Sequence, residues 1–346
     1  MFEYLLLEDF GHFSRLEWQD HRAVNIIIGE NDTGKSYILK ALYSIAKSLE
    51  EYTKRGATDQ RAWKDILSEK MFWVYQPDKG LGDLVRKDGD RLHVTAKLRS
   101  QTSIETYDFE FGKSTKQKIT KATNEVYKQL DLGALYIPTK EVLTAFDAIA
   151  AVNEQLKMFG FDQTYQDLIQ ALRIPNSRKE LEEEFQKVLD SLNEVFRGEI
   201  LMERKRFVFK RGQDRYTMSQ TAEGIKKISI LTTLIRNRTL QKGTILFLDE
   251  PETNLHPRAI IAFCEMLFNL SQVGIQIYMA THSYFVIKQF ELLARRHEAN
   301  IQLCCLSREE GVCASFSDLQ EGMPSNPIVD ASIKLYEEDV RLTLGQ

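Results

Sequence analysis

The run Gly29-Glu30-Asn31-Asp32-Thr33-Gly34-Lys35-Ser36 reads G-x-x-x-x-G-K-S, the pattern of a phosphate-binding loop. Backbone N–H groups of such a loop, with the N-terminus of the helix behind it, can hold the phosphates of a nucleotide. In this pattern Lys35 is expected on the β- and γ-phosphates and the Ser36 hydroxyl on Mg²⁺. Far downstream, Thr244-Ile-Leu-Phe-Leu-Asp-Glu-Pro-Glu252 places Asp249 and Glu250 directly after four apolar residues. Asp249 suits the Mg²⁺ shell. Glu250 could stand by the γ-phosphate and polarise an attacking water. A third candidate, His282, follows the apolar run Gln276-Ile-Tyr-Met-Ala280. Alone, an Asp-Glu pair is most often a solvated strand end, and a lone histidine most often a capped or exposed residue. The phosphate loop in the same chain is what turns both into functional candidates.

These residues need elements to position them. Asn25–Ile28 reads as a short buried strand, and Ser36–Ala46 as a helix with Ile38, Leu39, Leu42 and Ile45 on one face. Ile245–Leu248 reads as a buried parallel strand, and ligands of open α/β sheets gather at the carboxyl ends of such strands. Around these the pattern predicts strands over 4–7, 16–18, 93–98, 103–111 and 133–138, and a β-meander over 199–218. Residues 54–90 read as irregular and polar around an aromatic knot, Met71-Phe-Trp-Val-Tyr75. Residues 139–197 read as mostly helical. Ser177-Arg-Lys-Glu180 reads as a capping box that opens a helix with Leu181, Phe185, Val188, Leu189, Leu192, Val195 and Phe196 in one stripe. That helix is too short for a long coiled-coil arm. Helices are predicted over 222–235, 257–270, 285–295 and 329–344, the second opened by Pro257, with strands over 276–280, 301–306 and 312–316. The expectation is one domain, 1–346, with 51–218 inserted between the phosphate loop and the segment starting at Ala222.

The chain has 346 residues, is 43% hydrophobic and carries a net charge of −4. A large core is available, and a generally basic nucleic-acid binder is excluded. Any DNA contact would need a local patch, for which Lys113, Lys116, Lys118 and Lys121, or Arg204, Lys205, Arg206, Lys210 and Arg211, are candidates; charge runs of this kind usually form a solvated face. The four cysteines, Cys264, Cys304, Cys305 and Cys313, form no C-x-x-C pair and are expected to be buried free thiols. The acidic start, Met1 to Phe10, does not read as a signal peptide, and no apolar run reaches the length of a membrane span. A cytoplasmic protein without a membrane partner is expected.

Taken in order, Gly29–Ser36, Ala222-Glu-Gly-Ile-Lys-Lys227, Leu248-Asp-Glu-Pro-Glu-Thr-Asn-Leu-His-Pro257 and Ala280-Thr-His-Ser283 resemble the ATP-binding-cassette class of P-loop ATPases. Within it they look like the SMC/RecF/OLD branch, and Asp-Glu-Pro-Glu-x-x-Leu-His-Pro resembles the OLD-like ATPases of bacterial phage-defence modules. The resemblance implies an α/β ATPase head: a mixed central sheet flanked by helices, an N-terminal antiparallel β part and a short helical insertion. It implies an ATP-hydrolysing switch that dimerises around two Mg-ATP and controls a separate effector, in a defence or toxin-like system. Asp249 then matches the Mg²⁺-associated carboxylate, Glu250 the base, His282 the switch histidine, and Asn254 to His256 the loop that meets the other subunit. Gly29, Asn31, Asp32, Thr33, Gly34, Lys35 and Ser36 match the cradle, with Asp32 where many relatives carry glycine. Glu223, Gly224 and Lys226 match the signature segment that completes the partner's nucleotide site, with Lys227 a second source of positive charge.

The usual signature serine and glutamine are absent, leaving Ser219 and Thr221 as nearby hydroxyls, so slow or partner-dependent turnover is expected. A sensor glutamine is also missing after Tyr136-Ile-Pro138, where the chain reads Thr139-Lys-Glu141. His12 and Phe13 could stack on adenine or simply pack. Two alternatives stand beside the switch: a RecF-like DNA-maintenance clamp, and a nucleotide-gated scaffold that barely hydrolyses ATP. Leu255-His256-Pro257 favours the OLD branch over RecF.

Overall fold

The first strands alternate, which gives them one apolar side. β1 (Phe2–Phe10) and β2 (Phe13–Gln19) bury Phe2, Leu5, Leu7, Phe10, Phe13, Leu16 and Trp18 around a turn in which Gly11 takes φ 57°. β3 (Val24–Gly29) differs: every residue is buried, as a strand covered on both faces requires. The computed structural model describes residues 1–56, 58–100, 103–123, 132–140, 142–146, 148–149, 160–196, 198–203, 206–308 and 311–344.

After β3 comes α1 (Lys35–Lys54), which buries the predicted Ile38, Leu39, Leu42 and Ile45. The next segment departs from the expected irregular stretch. Trp63–Tyr75 is a helix, α2, with Trp63, Ile66, Leu67, Met71 and Val74 buried. Those positions follow the i, i+3, i+4 rule; the adjacent aromatics Phe72 and Trp73, only partly buried, hide the period in the sequence. Asp65 caps it by accepting from the Ala62 N–H at 3.2 Å. β4 (Arg91–Arg99), β5 (Ile104–Gly112) and the short β6 (Lys121–Ala122) complete an antiparallel sheet of order β2-β1-β4-β5-β6. In β5, Tyr107, Phe109 and Phe111 face the core and the residues between them do not, so one face is wet as expected.

β7 (Gly133–Ile137) follows, then α3 (Gln163–Arg173) and α4 (Glu183–Phe196). α4 begins after the Ser177–Glu180 motif, so that motif opens no helix; Ser177 Oγ instead accepts from the Lys179 N–H at 3.2 Å in a local turn. Phe185, Val188, Leu189 and Leu192 of the predicted stripe are buried; the side chains of Val195 and Phe196 lie outside the described set. The expected meander is a three-stranded antiparallel sheet of β8 (Glu199–Glu203), β9 (Arg206–Arg211) and β10 (Asp214–Thr217).

The rest of the chain alternates: α5 (Glu223–Arg236), β11 (Thr244–Asp249), α6 (Pro257–Gln272), β12 (Gln276–Ala280), α7 (Tyr284–Arg296), β13 (Ile301–Arg308), β14 (Val312–Asp318) and α8 (Pro327–Leu344). The central sheet has order β14-β13-β3-β12-β11-β7, parallel throughout except for the β13–β14 hairpin. β3, β11 and β12 therefore end side by side, and their carboxyl ends carry the phosphate loop, Asp249 and the approach to His282. Gln276 ties this sheet to the N-terminal one, accepting from Phe2 N at 2.7 Å and donating to Phe2 O at 3.0 Å. Cys264, Cys304 and Cys305 are buried free thiols, whereas Cys313 is exposed because β14 is an edge strand with one face to solvent.

Candidate functional site

The loop leaves β3 under close constraint. Gly29 takes φ 151°, and a Cβ there would come 2.6 Å from Leu306 O on β13. Gly34 takes φ 91°, and its Cβ would come 2.8 Å from Phe13 Cζ. Both positions need glycine. Gly34 is the N-cap of α1 and offers no capping side chain, so the first-turn N–H groups keep their free capacity for an anion. Thr33 Oγ1 donates to Glu30 O at 2.9 Å and stiffens the turn. Lys35 folds back over the loop, its Nζ donating to Gly29 O and Glu30 O at 2.8 Å each. Burial lowers the Lys35 pKa, against the pull of Glu250, Asp249 and Glu252.

The acidic strand end meets this loop directly. Ser36 Oγ donates to Asp249 Oδ1 at 3.0 Å across a sequence separation of 213. Tyr136 OH, at the end of β7, donates to Asp249 Oδ2 at 3.1 Å. Burial raises the Asp249 pKa, with Glu250 adding to it and the two hydroxyl donors opposing. Glu250 begins the turn after β11 at φ 46°, and its N–H donates to Ala280 O at 2.9 Å. That turn points its carboxylate at His282, whose Nδ1 lies 3.2 Å from Oε1. Behind them, Glu252 Oε1 accepts from Thr281 Oγ1 at 2.5 Å, and Thr281 Oγ1 accepts from Ser283 N at 3.0 Å. Among the described residues Glu252 Oε2 is buried with no partner, and burial raises the Glu252 pKa. Lys227 reaches across from α5 to Glu250 O at 3.3 Å and Pro251 O at 3.1 Å; burial lowers its pKa.

The loop Gly29 to Ser36, Asp249, Glu250 and His282 thus meet at the strand ends. Of the signature candidates, Lys227 reaches this site through the Glu250 and Pro251 carbonyls. Gly224 packs on the loop after the acidic pair, where a Cβ would come 2.6 Å from Leu255 Cδ2. Asn254 and His256 beside it are exposed, Asn254 at φ 64°. Lys226 is turned inward, with Nζ on Glu223 Oε1 at 2.7 Å and Thr144 Oγ1 at 2.8 Å. Thr221 Oγ1 is held on Thr217 O at 2.8 Å, and Ser219 Oγ lies 2.9 Å from Thr217 Oγ1. Of the two adenine candidates, Phe13 is fully buried, while His12 is partly exposed beside the phosphate loop, edge-on to Tyr37 at 5.5 Å. Glu141, Arg204 and Lys205 lie outside the described residues. In the other basic cluster Lys121 pairs with Glu110 at 2.6 Å and Lys113 donates to Lys87 O at 2.8 Å.

Three contacts escape sequence reasoning: Tyr136 on Asp249, Thr281 on Glu252, and Arg308 on Asp32. Only Tyr136 leaves a trace, as the polar atom at the end of an otherwise apolar strand. The Ser36 hydroxyl and the Asp249 carboxylate are hard oxygen donors on converging side chains, which fits Mg²⁺. Among the described residues no group of three or more His, Cys, Asp and Glu could hold a metal ion; Mg²⁺ typically takes one or two protein ligands and fills its shell from phosphates and water.

The sheet order and the loop define a P-loop ATPase with the head architecture of the ABC/SMC class. A family model described as "AAA domain, putative AbiEii toxin, Type IV TA system" matches residues 24–288, and the chain belongs to that family. The chain is 33% identical over 116 residues to the "Old nuclease" of Escherichia phage P2; the match covers 31% of this chain and 19% of that protein. Among solved structures it is similar to an Smc head bound to the C-winged helix domain of ScpA (TM-score 0.55, 13% identity, 93% of this chain and 99% of that one). It is also similar to the SMC head domain from Thermotoga maritima (TM-score 0.50, 16% identity, 92% and 98%). An Smc head with an extended coiled coil, bound to the C-terminal domain of ScpA derived from Pyrococcus furiosus, superposes with TM-score 0.52 at 11% identity over 97% and 98% of the two chains. At these identities the likeness is one of fold. The longest described helix, α1, has 20 residues; the described residues contain no coiled-coil arm. No helix among them is long and apolar enough to cross a membrane.

Proposed function

We propose that the protein is an ATP-hydrolysing switch that closes as a dimer around two Mg-ATP and controls a separate effector. The observation that carries this reading is the 3.0 Å bond from Ser36 to Asp249, which brings the loop hydroxyl and the acidic strand end together where both could bind one Mg²⁺. The first-turn N–H groups of α1, with Gly29, Asn31, Thr33 and Gly34, would bind the phosphates. Lys35 would leave the loop carbonyls for the β- and γ-phosphates. Ser36 and Asp249 would hold Mg²⁺, which screens the phosphate charge when bound. Glu250 would orient and deprotonate the attacking water, and His282, 3.2 Å away, would fix that carboxylate and sense the γ-phosphate.

Dimerisation is supported by the packing of Gly224 on Leu255, which joins the signature segment and the exposed Asn254–His256 loop into one surface. Glu223 and Gly224 would complete the partner's site there, and Lys226 would contribute only after leaving its internal contacts. The whole of 1–346 would act as one ATPase unit, with 51–218 offering the effector surface. A defence or toxin-like setting rests on the family description and on the partial likeness to the Old nuclease. Phosphate release from Mg-ATP tests the chemistry. Glu250→Gln should lower the rate on the order of 100-fold while nucleotide still binds; an unchanged rate would remove Glu250 as the base.

A further inference from the structure

A phosphate loop gathers negative charge, so a carboxylate inside it works against binding. Asp32 is such a carboxylate, the fourth residue of the eight-residue loop, at φ 61°. Aspartate tolerates this left-handed conformation better than most residues, so the backbone admits it. Its charge remains to be answered. One nitrogen of Arg308, Nη2, donates to both Asp32 O at 2.8 Å and Asp32 Oδ2 at 3.0 Å. His12 Nε2 lies 3.8 Å from the other carboxylate oxygen. The Arg308 hydrogen bond holds the Asp32 pKa below the usual carboxylate range, with His12 and the Arg308 charge adding to it.

The cation comes from an unexpected quarter. Arg308 is the last residue of β13, which pairs in parallel with β3 and sets Leu306 opposite Gly29, the first residue of the loop. A Cβ at Gly29 would come 2.6 Å from Leu306 O, so only glycine lets β13 run this close to the start of the loop. Arg308 is thus delivered to the loop by the sheet itself. Both side chains are substantially exposed, 49% and 70%, and exposed ion pairs add little to folding stability. Stability therefore does not account for a guanidinium that satisfies a loop carbonyl and the loop carboxylate together.

We infer that Arg308 is a positioning residue for nucleotide binding. It cancels the Asp32 charge and fixes the loop main chain in its anion-accepting shape, and the chain depends on Arg308 because it carries Asp32. This rests on the nucleotide reading above. The dependence makes Arg308 conditional, which separates it from a residue that contacts phosphate directly.

A double-mutant cycle tests it. Binding of a fluorescent ATP analogue with Mg²⁺ is titrated by anisotropy for wild type, Arg308→Ala, Asp32→Asn and the double variant, with thermal melts to verify folding. Arg308→Ala should weaken binding about tenfold, as expected for loss of a charge-assisted hydrogen bond. Asp32→Asn removes the carboxylate charge from the loop and should tighten binding, and adding Arg308→Ala to it should cost no more than about threefold, the share left to the bond on Asp32 O. An equal loss from Arg308→Ala in both backgrounds would overturn the inference in favour of direct phosphate contact. No loss in either would reduce the pair to a surface contact. If wild type fails to bind while remaining folded, the nucleotide reading itself fails and takes this inference with it.

Discussion

Helix α1 carries two buried ionic clusters, one at its start and one further along, and they are built on opposite electrostatic principles. At the start, around Lys35 and Ser36, burial dominates: the pKa values of Asp249 and Glu252 are raised, and those of Lys35 and Lys227 are lowered. Each of these groups sits where its charged form is disfavoured. Further along, the reverse holds. Asp167 accepts from Tyr43 OH at 2.5 Å, from Lys70 Nζ at 3.0 Å and from Gln163 Nε2 at 2.9 Å. Lys70 also pairs with Glu51 at 2.6 Å. Burial pushes the Asp167 carboxyl up, but Lys70, Lys47 and the hydrogen bonds outweigh it and the net shift is downward. Lys70 is likewise raised despite its own burial. The second cluster is satisfied from within and clamps α1 to α2 and α3. In the first, the opposite charges and hydroxyl donors act in the same sense but do not outweigh burial. The opposite signs mark the start of α1 as the place where an added counter-charge would be stabilising, as the proposed nucleotide site requires.

The largest expected effect breaks the satisfied cluster. Lys70→Met strands a buried Asp167 carboxylate and should lower unfolding stability by about 3–5 kcal/mol in urea titration. Lys70→Met with Asp167→Leu should recover most of that; a single-variant loss under about 1 kcal/mol would show that the network is not clamped as described. The opposite outcome is expected at the start of α1. Asp249→Asn removes a disfavoured charge and should raise the stability of the nucleotide-free protein by about 1 kcal/mol. It should also abolish the thermal shift given by Mg-ATP, and a destabilised variant would contradict the comparison.

Glu252 should give the smallest effect, and it carries a pH signature. Its folded pKa is raised, so its contribution to stability is fully present below the unfolded value, near about 4.3, and is lost as pH rises through the folded value. Glu252→Gln should therefore melt higher relative to wild type at pH 7.5 than at pH 4. Equal differences at the two pH values would mean that Glu252 is not held against its charge.

What the sequence made legible was what lies contiguous in it. Gly29 to Ser36 and Leu248 to Pro257 are unbroken motifs, and the strands before them are runs of buried apolar residues that match the observed β3 and β11 closely. α2 was hidden because Phe72 and Trp73 sit beside Met71 and Val74, so the buried face is diluted by aromatics that belong to the outer side. The Ser177 motif had the right residues for a cap, but the helix behind it starts only at Glu183, and Ser177 N is held instead on Arg236 O at 3.0 Å. Tyr136 on Asp249 and Arg308 on Asp32 depend on pairings across 113 and 276 residues. No local pattern encodes such pairs; they follow from strand order, which brings β7 beside β11 and β13 beside β3.

The central claim is that ATP drives two copies of this head together. Its most direct test is the solution mass of the Glu250→Gln protein, by light scattering after size exclusion, with and without Mg-ATP. The account predicts a mass that doubles on adding Mg-ATP and stays single when Lys35→Ala is introduced as well. A mass that ignores Mg-ATP, in protein shown to bind it, would contradict the switch.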